Sequence, residues 1–518
     1  MKNLLLVLIF SFSYTLLFSQ DPNIIWQRTL GGDDDDELWS TQQTTDGGFI
    51  LGGGSKSNIS GDKTENSQGG NDFWVIKLNA IGDIDWQNTI GGNEDDKITS
   101  VKQTTDGGYI LGGTSNSNIS GDKTENSQGG QDYWVIKLNG TGDIIWQKTL
   151  GGNQDDRLIS ISETLDGNFI IGGTSSSGIS GDRTKPLNGN KDSWIIKINS
   201  FGEIIWQNAF GYGNSQSIQS LSQTLDDGYI FSGTLQTGGS SNDVYWVVKL
   251  NSNGFLEWDK LIGGNHSDWF PKIHQTTEGS YILAGASDSD ISGDKTENSQ
   301  GSFDYWILKL DNVGNIIWQN TIGGSSGEQP DSIIESDDGG FLVCGYSSSN
   351  ISGDKTEDSL GSSDYWVIKI NEVGIIEWQN TIGGSHVDAR AKAIKTNDGG
   401  YLIGGHSNSD ISGDKSENSK GGYDFWIAKH SQTLGIDENN FISSIILYPN
   451  PVKNNLNIQS SIQPIDFVKI YSLTGQLLKY ENVNTDSSII NVSNLASGEY
   501  FIQLYSGKKI ALKKFLKQ

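Results

Sequence analysis

The 518-residue chain holds one cysteine, one methionine and seven prolines. A single thiol, Cys344, excludes an internal disulfide, so stability has to come from packing. Cys344 lies in the apolar run Phe341-Leu342-Val343-Cys344-Gly345, which reads as a buried, inert position. Histidine is scarce. His266, His274, His386, His406 and His430 stand in no metal-ligand spacing. Arginine is scarcer still. Arg28, Arg157, Arg183 and Arg390 fall at different positions of the pattern described below, which argues against an arginine cluster for a substrate carboxylate. No Gly-x-Ser-x-Gly elbow and no phosphate-binding loop occurs. Beyond the first 20 residues no apolar run is long enough to cross a bilayer. These absences give no catalytic constellation, and the chain is read as a non-enzyme without a transmembrane anchor.

The first residues are a separate element. Lys2 supplies a positive start, Leu4 to Phe18 is apolar, and Ser19 is a small residue at a cleavage point, so residues 1–19 read as a signal peptide. No cysteine follows that run, which argues against a lipoprotein. The formal charge is −27. Residues 445–518 carry eight Lys against four acidic residues, so removing this +4 and the +1 of Lys2 from −27 leaves −32 on the residues between. Such a body repels nucleic acid and anionic membranes. It suits a soluble extracellular protein, or one that collects cations.

What is abundant is glycine, 67 residues, and aromatics, among them 16 Trp and 17 Tyr. They recur with a period. Trp26, Trp86, Trp146, Trp206, Trp258, Trp318 and Trp378 are spaced by 60 residues, with one interval of 52. Trp74, Trp134, Trp194, Trp246, Trp306, Trp366 and Trp426 keep the same spacing. Each of the seven copies contains four strand-like runs, for example Ile98–Thr104, Tyr109–Thr114, Tyr133–Asn139 and Asp143–Leu150. Asp106-Gly107-Gly108 supplies a hairpin turn, because glycine accepts positive φ without cost. Four-stranded units of this length predict radial blades around a central channel. A β-solenoid is the rival, but its coils are usually far shorter.

The pattern WQNTIGG…D…TDGGYILGGTS…GGQDYWVIKLN, over residues 24–430, resembles the bacterial β-propeller repeat family. That resemblance implies a fold and no single activity. In related propellers the innermost strand precedes the Asp-Gly turn, which makes the Ile98-type strand innermost and the Trp146-type strand outermost. Residues 389–430 then supply only three strands, and Ile24–Leu30 has no blade of its own. The prediction is an all-β, seven-bladed β-propeller spanning residues 20–431 and closed by the N-terminal strand, leaving no free edge.

Three features compete for a binding role. The paired tryptophans read first as blade-to-blade packing, because each large buried aromatic side chain contributes about 1.5–3 kcal/mol, and second as platforms for sugars. Asp36, Asp96, Asp156, Asp268, Glu328 and Asp388 follow each Gly-Gly, with Gln216 breaking the series. They read first as turn caps and second as hard-cation ligands. The loop Ile-Ser-Gly-Asp-Lys-Thr-Glu-Asn-Ser is identical at 59–67, 119–127 and 291–299, nearly so at 351–359 and 411–419, and altered at 179–187, where Lys185 replaces the Glu. The copy containing 228–258 lacks it. The loop is either a tied-down structural element or a calcium site built from Asp62, Glu65, Asp122, Glu125, Asp294, Glu297, Asp354, Glu357, Asp414 and Glu417, with Asn126 and Asp132 assisting in its second copy. The order is not that of an EF-hand. Calcium is the one cofactor the sequence raises. The Thr-x-Asp-Gly-Gly-aromatic turn resembles in part the Asp-box hairpin of sialidase propellers, itself a structural feature. Tyr212, Trp269, Pro271 and His274 interrupt the repeat without forming a catalytic set.

Residues 432–444 read as a linker. Tyr448-Pro449-Asn450-Pro451, Tyr471 to Gly475-Gln476, Gly498-Glu499-Tyr500 and the basic end Lys513-Lys514-Phe515-Leu516-Lys517 closely resemble the type A C-terminal sorting domain of the type IX secretion system of Bacteroidetes. The resemblance covers residues 445–518 and implies a small β-sandwich. It also implies recognition by the secretion machinery, then release or attachment at the cell surface. The functional expectation is a secreted or surface-displayed binding or adhesion scaffold for a glycan or protein ligand. The rivals are a carbohydrate-active hydrolase or lyase at the channel mouth and a purely structural coat protein.

Overall fold

The computed structural model describes residues 22–238, 242–431, 444–461, 464–472, 477–506 and 509–518. The expected signal peptide 1–19, most of the expected linker and the Gly475-Gln476 turn lie outside the described residues. The chain divides into two compact units, one of them Asn23–Ser431 and the other holding Gln432–Gln518.

The larger unit is all-β. After β1 (Ile24–Leu30) come β2 (Asp36–Gln43), β3 (Phe49–Ser55), β4 (Asp72–Leu78) and β5 (Ile84–Ile90). The last four form the first sheet, antiparallel and in chain order. The second sheet repeats it with Asp96–Gln103, Tyr109–Ser115, Asp132–Leu138 and Ile144–Leu150. The expected strands are therefore present, shifted by no more than two residues. The third to sixth sheets occupy residues 156–210, 216–262, 268–322 and 328–382. The seventh contains Asp388–Lys395, Tyr401–Ser407 and Asp424–His430, and β1 pairs antiparallel with the last of these, with Thr29 opposite Trp426. These blade-like sheets make the fold β-propeller-like.

Local chemistry explains the strands. In the turn at Asp106, the carboxylate accepts bonds from the Thr104 hydroxyl at 2.5 Å and the Gly108 N–H at 3.0 Å, while Gly107 takes φ +82°. A side chain at Gly107 would force a left-handed conformation. The second strand of each sheet is apolar on both faces, as Tyr109–Ser115 is fully buried. The cores lie between sheets. One joins Phe73 and Val75 of the first sheet to Val101, Leu111 and Trp134 of the second. Another joins Leu402, Phe425 and Ile427 of the seventh sheet to Leu38, Leu51 and Trp74 of the first. The first strands of successive sheets are neighbours, from β2 and Asp96–Gln103 through to Asp388–Lys395, which neighbours β2 in turn.

The smaller unit has a three-stranded sheet of Ile445–Tyr448, Asn455–Ser460 and Ser487–Asn491. Its four-stranded sheet has the order Leu477–Thr485, Ile465–Ser472, Gly498–Ser506, Lys509–Lys517. Leu456, Ile458, Ile490, Val468, Ile470, Ile502, Leu504 and Phe515 form one core between them. No helix among the described residues is long and apolar enough to cross a membrane.

Candidate functional site

Both tryptophan series are packing elements. Trp134 is fully buried and lies 5.1 Å from Phe73 of the preceding sheet. Trp194, Trp306, Trp366 and Trp426 repeat this against Tyr133, Tyr245, Tyr305 and Tyr365. Trp74 meets Phe425 of the seventh sheet at 5.0 Å. The outer series also bridges sheets. Trp86 packs edge-on against Tyr109, and Trp26 of β1 against Phe49.

The ten loop carboxylates are spread between sheets. Glu65, Glu125, Glu297 and Glu357 accept bonds from the N–H of Thr89, Thr149, Thr321 and Thr381, all at 2.6 Å. Glu417 accepts from Thr29 of β1 at 2.5 Å. The aspartates reach the other way. Asp62, Asp122, Asp294, Asp354 and Asp414 accept from the N–H of Gly31, Gly91, Gly263, Gly323 and Gly383 in the preceding sheet, at 3.1–3.2 Å. Each loop is thus tied to its own outer strand by Glu and to its neighbour by Asp. The amide of Gln68 donates to Asp122, and that of Gln300 to Asp354. Between the seventh and first sheets the ammonium of Lys420 pairs instead with Asp62. Asn126 caps the loop by accepting from the Ile119 N–H at 3.0 Å. Among the described residues no three His, Cys, Asp or Glu side chains are grouped to hold a metal ion.

The carboxylates after Gly-Gly are buried caps. Asp96 accepts from the Gly92 N–H at 2.6 Å and the Ser117 hydroxyl at 2.9 Å. Asp72 faces it across the sheet boundary. Both are fully buried and each leaves Oδ1 without a hydrogen-bond partner. Burial pushes Asp72 up to about 6, and Asp96 adds to the effect. Asp36, Asp132, Asp268, Asp304 and Asp364 are likewise raised by burial to about 6.

The repeat breaks on the first strands of the sheets. In the first, second and sixth sheets Ser40, Ser100 and Ser332 pair with Gly52, Gly112 and Cys344; at the equivalent places in the fifth and seventh stand Lys272 and Lys392. The regular bulge skips one residue, as between Leu38 and Ser40. In the fifth and seventh sheets it skips two, Phe270-Pro271 and Arg390-Ala391. Phe270 and Arg390 take φ +56° and +60°, costly for residues with a β-carbon. Arg390 thereby leaves the core side occupied by Leu38, Ile98, Leu158 and Ile218. Its guanidinium lies 5.7 Å from the Trp39 ring and 3.5 Å from the Asp331 carboxylate. Asp331 is 6 % exposed and its Oδ2 has no partner. Lys392 donates to the Trp39 carbonyl, and Lys272 to that of Gln219 at 3.2 Å. Burial, with Lys272 nearby, lowers Lys392 to about 7. Burial and Arg390 hold His406 at about 4. Its ring lies edge-on to Trp39 at 6.4 Å, and its Nδ1 has no partner.

Trp39 also lines a cleft of about 410 Å³ with Lys97, Thr99, Arg157 and Ile159. Arg157 and Ile159 continue into a second cleft of about 430 Å³ that reaches Gln219 and Asp243. Asp243 accepts from the Trp269 indole at 2.6 Å, and Trp269 stacks on Phe303. The arginines hold different positions of the repeat, and Arg390 lies against the Trp39 ring while Arg157 lines the cleft that Trp39 shares. Sequence reasoning missed Trp39, Lys272, Asp331, Arg390 and Lys392. The available signal was the substitution of lysine for serine at one inner-strand position.

Residues 446–518 match the family described as the secretion system C-terminal sorting domain. The protein is therefore exported by the type IX route to the cell surface or beyond. The regulatory protein FlaEY of Caulobacter vibrioides is 25 % identical over 187 residues, covering 32 % of this chain and 20 % of its own length. PorZ of Porphyromonas gingivalis, described as a surface component of the type IX secretion system, aligns at 14 % identity with a TM-score of 0.43, over 94 % of this chain and 60 % of its own. The WD40 domain of Neurospora crassa Pan2 aligns at 10 % identity and a TM-score of 0.40, over 79 % of this chain and 97 % of its own. The chain thus spans a fifth of the curated relative and three-fifths of PorZ.

Proposed function

We propose that the protein is a cell-surface binding scaffold: a closed seven-bladed propeller, carried outward by its sorting tail, that holds a ligand at one end of its axis without turning it over. The closure reading is supported by β1 on the seventh sheet, the shared core of the first and seventh sheets, and the Lys420–Asp62 pair. One observation carries the binding reading. In a chain that otherwise copies itself, three residues that depart from the repeat, Arg390, Lys392 and His406, meet at Trp39. Non-copied side chains at costly backbone angles are what a ligand site requires. The test is a glycan array and a surface-protein panel probed with the full-length secreted protein and with Trp39→Ala. Specific capture that the variant loses supports the scaffold. A blank array and panel, or capture unchanged in the variant, refutes this site. Release of altered ligand would favour the hydrolase or lyase reading.

A further inference from the structure

We infer that the axial site takes an acidic sugar, with its carboxylate held by Arg390 and Arg157 and a ring face on Trp39. The inference rests on the scaffold reading and names its ligand class. It starts from charge. The body carries −32, yet Arg390 pairs with Asp331 at 3.5 Å, and the buried Lys272 and Lys392 lie within the electrostatic reach of the same carboxylate. Lys97 and Arg157 stand beyond Trp39. Three basic groups around one carboxylate leave room for a further anion, whose arrival would also stabilise the ammonium form of the two lysines that burial lowers. The surrounding negative surface screens out highly charged polymers, while a low-charge anion can still enter.

Geometry selects among anions. Guanidinium groups bind carboxylates through two parallel N–H donors. Asp331 is bonded to one side of Arg390 and leaves the other N–H groups free to turn toward a ligand. The half-buried Trp39 ring lies 5.7 Å from Arg390 and opens to the cleft that Arg157 also lines. An indole face against the C–H face of a pyranose, beside a guanidinium for its carboxylate, matches a uronic acid. A phosphate would need no such flat face.

The experiment is calorimetric titration of the full-length protein with digalacturonate, a probe of low charge. Its controls are a neutral cello-oligosaccharide of equal length, a sulfated dextran fragment and inorganic phosphate. The expected result is saturable uronate binding, weakened at least tenfold by Arg390→Gln and by Arg157→Gln, and weakened by salt. Trp39→Phe should weaken it less than Trp39→Ala does. Thermal melts identify any variant that fails to fold, and Arg157→Gln, outside the strained bulge, keeps the test open if Arg390→Gln does fail. Equal binding of the neutral oligomer, indifferent to both arginine variants, overturns the acidic class and leaves the scaffold standing. Equal binding of phosphate or sulfate overturns the sugar assignment. No binding of any probe overturns this inference, and the array separately decides the scaffold.

Discussion

The second and fourth sheets have the same strands and different interiors. The second buries Asp96, Lys123 and Asp132 together, and both carboxylates raise the Lys123 ammonium against the lowering effect of burial. The fourth has Gln216 in place of the first carboxylate and Val244 in place of the second. It has no loop to bring a lysine. All three charges are absent at once, which marks them as one electrostatic unit. A buried lysine without its carboxylates is costly, and so are the carboxylates without the lysine. The third sheet keeps the unit with Arg183, which pairs directly with Asp192 at 2.9 Å.

The largest expected effect concerns the seventh sheet, which differs from the others in borrowing its outer strand. Removing residues 23–30 exposes the edge of Asp424–His430 and strips Glu417 of its Thr29 partner. Each large side chain uncovered costs about 1.5–3 kcal/mol. The expected outcome is loss of the sharp unfolding transition in scanning calorimetry. A truncated protein with an unchanged midpoint would show that the larger unit does not depend on this strand.

Next comes the comparison itself. Lys123→Met leaves Asp96 and Asp132 buried without their cation and should cost about 3–5 kcal/mol. The triple change Lys123→Met, Asp96→Gln, Asp132→Val copies the fourth sheet and should recover most of that loss. Urea midpoints of the two variants decide. If the triple variant is less stable than the single, the three residues are independent and the comparison teaches nothing about coupling.

Much of this was legible in the sequence and some was not. The period of the tryptophans and the Asp-Gly turns located every strand of the second sheet within two residues, because local turn chemistry sets those boundaries. The role of the loop Asp and Glu was ambiguous, because a carboxylate that caps a backbone N–H and one that binds calcium look alike in one dimension. The cluster at Trp39 was hidden for a different reason. Arg390 aligns with the buried Leu38 and Ile98, and only the wider bulge and φ +60° turn it toward Trp39. A register shift of one residue reverses which face a side chain occupies.

A smaller effect follows from the raised carboxyls. Asp36, Asp72, Asp132, Asp268, Asp304 and Asp364 titrate near 6 in the folded protein and near 3.9 when unfolded. Between those values the native state holds protons that the unfolded state has released. Their contribution is therefore complete below about pH 4 and lost as pH rises through 6. Asp46 and Asp106 work in the opposite direction. Burial is outweighed by hydrogen bonds from Thr44 and Lys77 and from Thr104 and Lys137, which hold them at about 2. Their contribution is lost as pH falls from about 4 through 2. The melting temperature should therefore peak near pH 4 and fall by about 3 °C or more by pH 7. The fourth sheet lacks both carboxyls, so a variant carrying its residues in the second sheet should show a shallower fall. A midpoint that rises from pH 5 to 7 would contradict the protonated interfaces.

The smallest expected effect is that of calcium, and it separates the two meanings of the copied loop. If the loops were calcium sites, binding to the folded state alone would stabilise by RT ln(1 + [L]/Kd), about 2.7 kcal/mol per site at 100 times Kd. Five loops carry both Asp and Glu, so chelation would lower the melting temperature by many degrees. The observed bonds give another expectation. Glu125 is committed to the Thr149 N–H at 2.6 Å and Asp122 to the Gly91 N–H at 3.2 Å, in two different sheets. Carboxylates used this way have no need of a cation, and their surface charge is only screened by salt. Calcium, magnesium and EDTA at matched ionic strength should then give the same midpoint. Glu125→Gln and Asp122→Asn should each cost about 1 kcal/mol through weaker acceptance of a backbone N–H, with or without calcium. A calcium-specific rise that both substitutions abolish would restore the cation site, and the fourth sheet would then be the one blade whose loss of the loop cost it an ion.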